Sequence, residues 1–147
     1  MPLDKIEIKK FRDLSNDEIF AIYKLRIDVF VVEQDCPYPD VDDIDKTAEH
    51  IFIMDGEVAC CYLRLYTQDD VIKIGRVVTD INYRSKGLAA RLIRFTLNHI
   101  ENHYKEQRIA ISAQSHLMHY YQGFGFEKYT DEYLEDGIPH VGMIIHR

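Results

Sequence analysis

No apolar run in the chain approaches the ~18 residues that cross a bilayer, and the first residues, Met1-Pro2-Leu3-Asp4-Lys5-Ile6-Glu7, carry charge where a leader would carry an apolar stretch. The expectation is a cytoplasmic protein with no membrane partner. Cysteine is scarce: Cys60 and Cys61 are adjacent and Cys36 is odd, which offers no disulfide framework and suits a reducing compartment. No Pro/Gly/Ser-rich linker, internal repeat or low-complexity tract divides the sequence, so a single domain over residues 1–147 is expected. Basic residues are the minority, 18 Lys and Arg against 25 Asp and Glu, and a net charge of −7 argues against a general nucleic-acid or anionic-membrane surface. A local basic patch stays compatible with that average. Composition is otherwise ordinary for a globular chain, 46% hydrophobic and 29% charged. A domain of this length buries roughly 68–70% of its unfolded surface and needs neither disulfide nor structural metal to fold.

Hydrophobic periodicity places the elements. Ile6 and Ile8 alternate with charges as a short strand, and Ser15-Asn16-Asp17-Glu18 has the form of a capping box opening a helix. Ile19, Ile22, Leu25, Arg26 and Val29 recur at three- and four-residue steps, and the stripe runs on into Phe30-Val31-Val32. Prolines and acids between Glu33 and Glu49 predict a loop. His50 to Met54, Glu57 to Tyr66 and Val71 to Thr79 read as an antiparallel meander, with a tight turn at Asp55-Gly56. A helix over Leu88 to Tyr104, a strand over Arg108 to Ser112, a short helix over Leu117 to Tyr121 and two strands, Phe126 to Tyr133 and His140 to His146, complete the set. The order is that of a mixed α/β layout with helices on both faces of a central sheet.

The most informative stretch runs from Ile74 to Ala89, where a strand passes through a short turn into a helix N-terminus. Such a junction binds anions, because the first helical amides lack intrahelical partners and the macrodipole adds partial positive charge. Gly87 allows close approach and Ala89 keeps the next position small, while Arg84, Lys86, Arg91 and Arg94 add positive charge to the same corner. The Gly-Lys-Ser/Thr of a nucleotide phosphate loop is missing, and so is the dinucleotide GxGxxG, which disfavours a nucleotide-binding protein using this corner for ATP.

Arg84-x-x-Gly87-x-Ala89 resembles the pyrophosphate loop of the GNAT superfamily of N-acetyltransferases, and the order of elements agrees with it. A second family motif, a tyrosine followed after three intervening residues by Gly-Phe, is similar to Tyr121-Gln122-Gly123-Phe124-Gly125-Phe126. The resemblance narrows to the ElaA-like branch through Leu25-Arg26 with Val29 to Gln34, Gly75-Arg76-Val77-Val78, Ser112 to Leu117 and Glu135 to His140, segments spread over most of the chain. It implies a central mixed, mostly antiparallel, splayed sheet of six to seven strands. It also implies acetyl-CoA as cosubstrate, with no metal. The exposed main chain of Val77, Val78 and Thr79 would pair with the pantetheine arm, and the amides of Arg84, Ser85, Lys86, Gly87, Leu88 and Ala89 would take the pyrophosphate. Gln114 stands where the family commonly has an asparagine facing the cofactor.

The activity so implied is acetyl transfer to a primary amine, either a small amine or a peptide or protein amino group, by direct attack in a ternary complex. An alkylamine with pKa near ~10.4 is mostly protonated at neutral pH, so a base must take its proton and an acid must serve the leaving thiolate. Tyr121 is the expected acid. Glu33 is the expected base, with His50, Glu135, Asp136 and His140 as competitors and as candidate acceptor-binding residues. Arg26, Arg64 and Arg76 read as architectural, partly buried, with Glu33, Asp42 or Asp136 to neutralise them. Cys60-Cys61 reads as packed thiol rather than nucleophile, because an apolar strand raises thiol pKa. His99/His103 and His116/His119 have metal-ligand spacing without an evident third ligand, and read as solvated helix faces. Asp40, Asp42, Asp43 and Asp45 read as a solvated acidic face, or as a rim drawing in a cationic acceptor. The rival from another class is a non-catalytic CoA-binding sensor or protein-interaction module. A monomer or homodimer is compatible with either.

Overall fold

The computed structural model describes residues 5–147, so the leader reading of Met1 to Asp4 lies outside the described residues. The strands are β1 (Glu7–Lys10), β2 (Glu49–Asp55), β3 (Val58–Gln68), β4 (Val71–Thr79), β5 (Arg108–Gln114), β6 (Glu127–Lys128), β7 (Tyr133–Glu135) and β8 (Ile138–His146). The helices are α1 (Asn16–Arg26), α2 (Leu88–His103) and α3 (Met118–Gln122). All eight strands of the described residues form one sheet in the order β1-β2-β3-β4-β5-β8-β6, with β7 also on β8. Pairing is antiparallel throughout except between β4 and β5. The expected single strand over Phe126 to Tyr133 is two, β6 and β7. The chain leaves the sheet between them as Thr130 Oγ1 accepts from the Gly142 amide at 2.8 Å, which accounts for eight strands rather than six or seven.

Helices cover both faces. Alternate residues of β2 to β5 and β8 (Ile51, Leu63, Ile74, Ile111, Met143) pack with Leu88, Leu92, Ile93 and Ile100 of α2 and with Tyr121 of α3. On the other face α1 lays Ala21, Ile22 and Leu25 on Phe52, Tyr62 and Val78. The start of α1 is the capping box expected from sequence: the Glu18 amide donates to Ser15 Oγ at 3.1 Å, and the Ser15 amide donates to Glu18 Oε1 at 2.9 Å.

Two irregularities open and bend the centre of the sheet. The parallel ladder of β4 and β5 joins only Ile72 to Ile74 with Ile109 to Ile111; beyond it the strands separate, leaving Gly75 to Thr79 and Ser112 to Gln114 as facing walls. In β4 the register against β3 slips between Gly75 and Val78, where Arg76 takes a left-handed φ of 53° in a β-bulge. α1 also runs on without a break into a π-helix, Ile27–Glu33, whose wide turns are closed by Gln34 and Cys36 amides donating to Val29 and Val31 carbonyls, both at 3.0 Å. That winding extends the first helix as its apolar stripe suggested, and carries Phe30 and Gln34 over the gap between β4 and β5.

Candidate functional site

The gap between the splayed strands is a cleft of about 110 Å³. Gly75, Arg76 and Val77 line one wall and Ile111 to Gln114 the other; Phe30, Gln34, Cys36 and Tyr38 close one side, Leu117 and Tyr121 another, and Glu135, Asp136, Ile138 and His140 a third. Of the residues expected from sequence, Val77, Gln114, Tyr121, Glu135, Asp136 and His140 therefore meet in one place. The Asp80 amide donates to the Cys60 carbonyl at 2.9 Å, and main-chain direction alternates along a strand, so Val78 turns its amide and carbonyl toward β3 while Val77 and Thr79 turn theirs into the gap. Val78 thus serves the α1 core, and the main chain open to a ligand belongs to its two neighbours.

At the end of β4 the turn to α2 has two left-handed residues, Ser85 (φ 65°) and Gly87 (φ 74°), and Gly87 is the N-cap. Nothing lies within 4 Å of where a Gly87 Cβ would stand, so the turn is open there, and the first amides of α2, those of Leu88 and Ala89 included, have no partner within the helix. Leu88 itself is buried and pins the helix start to the core. Lys86 is exposed beside this cradle. These residues fit a CoA pyrophosphate.

Glu33 does not point into the cleft. Its carboxylate takes two hydrogen bonds from Arg84, at 2.7 and 2.8 Å, and Arg84 Nε also donates to the Thr79 carbonyl at 3.2 Å. The Arg84 hydrogen bond, together with its charge, holds the Glu33 carboxyl below the usual carboxylate range, the wrong direction for a base. It also ties up the Arg84 charge expected in the basic corner. Glu33→Gln is expected to leave turnover within about threefold, since an exposed pair of this kind contributes little; a hundredfold loss in steady-state rate would restore Glu33 as the base.

His50 is fully buried, away from the cleft. Its Nε2 donates to the Asp45 carbonyl at 2.8 Å, so Nδ1 accepts from the Tyr62 hydroxyl at 2.6 Å. Burial pushes its pKa down, and with both nitrogens engaged it has a structural task, not a substrate to bind.

The acidic loop departs furthest from expectation. Asp40 and Asp45 are 3% and 1% exposed and belong to a buried network rather than to a solvated face or rim. Arg26 Nε donates to Asp40 Oδ2 at 2.8 Å and Nη1 to Asp45 Oδ1 at 2.7 Å. Arg64 Nη1 reaches Asp42 at 2.7 Å and Asp45 at 3.0 Å, and Arg76 Nη2 donates to the Asp40 carbonyl at 3.0 Å. Of the three carboxylates expected to neutralise these arginines only Asp42 does so; Asp40 and Asp45 replace Glu33 and Asp136. The one sequence signal was Arg26 inside an apolar stripe, where a cation needs buried anions. The network straps residues 40–45 onto β3 and β4 and sets Tyr38, stacked on Arg76 at 5.3 Å, at the rim of the cleft. Cys60 and Cys61 are buried thiols, pushed up to about 11 by desolvation, as their strand setting implied.

A family model described as an acetyltransferase (GNAT) domain matches residues 17–147. The chain belongs to the GNAT acetyltransferase family. Protein ElaA of Escherichia coli (strain K12) is 38% identical over 136 residues, 89% of each sequence, so the likeness to that branch is also shown. The crystal structure of Escherichia coli ElaA superposes with a TM-score of 0.89 at 34% identity, over 95% of this chain and 98% of that one. An acyl-CoA N-acyltransferase from Pseudomonas aeruginosa does so with a TM-score of 0.90 at 37% identity, over 95% and 97%. The family places this chain among acyl-CoA-dependent transferases, with a CoA thioester as donor. No helix of the described residues is long and apolar enough to cross a membrane.

Proposed function

We propose that this chain transfers the acetyl group of acetyl-CoA to a primary amine, by direct attack with both substrates bound. The observation that carries this reading is the open gap between β4 and β5, which the phosphate-fitting turn adjoins at the end of β4 while Tyr121 and the pair His140 and Glu135 line its walls. Acetyl-CoA supplies the activated acyl thioester. The amides of Gly87, Leu88 and Ala89 bind its pyrophosphate, Val77 and Thr79 orient its arm through the main chain, and a Val77 or Thr79 amide turned into the gap stabilises negative charge developing on the acyl oxygen.

At the acceptor end, the His140 Nδ1 proton goes to the Ile138 carbonyl at 2.7 Å, which leaves the Nε2 lone pair 3.5 Å from Glu135 Oε2. Two acceptors at that separation suit a shared donor, and an amine N–H between them satisfies both. His140, with Glu135 beside it, is therefore the base of this proposal in place of Glu33, and Asp136 remains a wall of the acceptor end. Tyr121 delivers the proton to the departing thiolate. Release of free CoA thiol on addition of an amine panel tests the reading. The expected result is amine-dependent release; tight acetyl-CoA binding with no release for any amine would make the chain a sensor.

A further inference from the structure

α1 shields only the β1 to β4 half of its face of the sheet, and on the β5 and β8 half no helix packs among the described residues. The floor left there is made of small residues in line. Arg64 of β3 pairs with Gly75 of β4, Ser112 of β5 pairs with Gly142 of β8, and Gly75 and Ser112 face each other one step past the last parallel pair, Ile74 with Ile111, where the strands begin to part. Thr130 and Tyr129 close over Gly142, and the small side chains at Gly75 and Ser112 leave a trough of about 310 Å³ beside them, walled by Tyr66, Tyr129 and Tyr133 and sharing Gly75, Ser112 and Glu135 with the cleft. Its volume is at the lower end of small-ligand sites, ~300–1,000 Å³.

The trough has opposite charges at its two ends. Around its inner end the Arg64 and Arg76 guanidiniums are neutralised by Asp40, Asp42 and Asp45. Glu135 has no cationic Lys or Arg partner among the described residues; its Oε1 accepts from Ser112 Oγ at 3.2 Å, at the mouth of the cleft. Lys73 meets only the neutral Gln68 amide, at 3.0 Å, and no carboxylate among the described residues. Lys73 pairs with Ala110, two residues before Ser112, so the backbone position that carries the cation and the one that holds the anion are stepped by about 7 Å along the strands at ~3.3 Å per residue. The Arg64 side chain is 3% exposed, yet its Nε has no hydrogen-bond partner among the described residues and lies 3.8 Å from the Cβ position of Gly75, a donor left over at the trough floor.

We infer that the trough seats the non-reacting part of the acceptor, and that the acceptor is a small zwitterionic, peptide-like amine with its ammonium at Glu135 and its carboxylate at Lys73. Two extended residues span about 7 Å, which matches the step along the strands between the Lys73 and Ser112 levels. The peptide oxygen between them is the acceptor that the floor lacks. The inference rests on the transferase reading above for the orientation of the amine, and on the trough alone for the carboxylate.

The test compares alanylalanine with its C-terminal amide, which differ only in the terminal charge, on the wild-type protein, Lys73→Glu and Lys73→Arg. Both kcat/KM with acetyl-CoA and calorimetric Kd with CoA present are measured. The wild-type protein is expected to prefer the free carboxylate by tenfold or more in each readout, Lys73→Arg to keep that preference, and Lys73→Glu to abolish or reverse it. Equal handling of the two dipeptides by the wild-type protein, or an unchanged preference in Lys73→Glu, overturns the inference; a common loss of fold would lower both dipeptides alike and leave the ratio. Failure of the transferase reading is seen separately, as no turnover with either dipeptide or with butylamine, and the binding ratio then still decides the trough.

Discussion

Tyr121→Phe is expected to lower kcat by a hundredfold or more while shifting the Kd for acetyl-CoA by less than about twofold. The phenol belongs to α3, whose ring packs edge-on against Phe126 at 6.2 Å and Tyr120 at 5.3 Å, so the side chain has its position fixed by the core while it lines the cleft. Burial raises its pKa well above the ordinary tyrosine value, and it is fully protonated at neutral pH. A donor that keeps its proton until a thiolate develops suits the acid role, and acid–base catalysis contributes ~10²–10⁴ in rate. Phenylalanine keeps the packing and removes only the hydroxyl. Pre-steady-state mixing that resolves acyl transfer from product release is the direct measurement. A variant with wild-type transfer rate would reduce Tyr121 to a core aromatic.

Arg26→Ala is expected to cost about 3–5 kcal/mol of folding stability, the range for deleting one partner of a buried pair, against total stabilities of ~5–15 kcal/mol. The guanidinium is 0% exposed, held between Tyr23 and Tyr62 at 5.3 and 5.6 Å, and its removal strands Asp40 and Asp45 in the interior. Urea unfolding followed by fluorescence or circular dichroism reads the loss directly. The network also predicts an acid limb. Burial alone would raise the Asp45 carboxyl, but the hydrogen bond and charge of Arg26 outweigh it and the net shift is downward; Asp42 is lowered in the same way against Arg64. A depressed folded-state pKa contributes stability above the unfolded value near 4, and loses it as pH falls through the folded value. The midpoint of urea unfolding is therefore expected to be flat from neutral pH down to about 5 and to drop below it, and less steeply in Arg26→Ala. A flat profile through pH 3 would contradict the network's electrostatic role.

How much of this was legible in the residue order varies with the range of the interaction. The capping box at Ser15, the turn at Gly56, the α2 stripe and the phosphate-fitting corner at Gly87 are local, and each was readable where it stands. The grouping of Tyr121, Gln114, Glu135 and His140 came through family motifs, because no periodicity places residues 114, 121 and 140 around one cleft. Pairings between distant segments were not readable. Arg26 and Asp45 are 19 positions apart, Arg64 and Asp42 22, and Arg84 and Glu33 51, and a run of aspartates looks alike whether it faces water or guanidinium. The same blindness exchanged the roles of Glu33 and Asp45. The trough was invisible too, since Gly75, Ser112 and Gly142 become one floor only when strand register is known.

The bulge at Arg76 works as a phase shift in β4. Before it, odd-numbered residues such as Lys73 and Gly75 look onto the α1 face; after it, even-numbered Val78 does. One inserted residue thereby allows the same strand to show small, polar positions to the trough and then a valine to the α1 core, while Val77 and Thr79 direct their main chain into the gap. Shortening the segment from Gly75 to Thr79 by one residue would restore a uniform alternation and turn those amides toward β3. That stretch is accordingly expected to accept changes of side chain far more readily than any change of length.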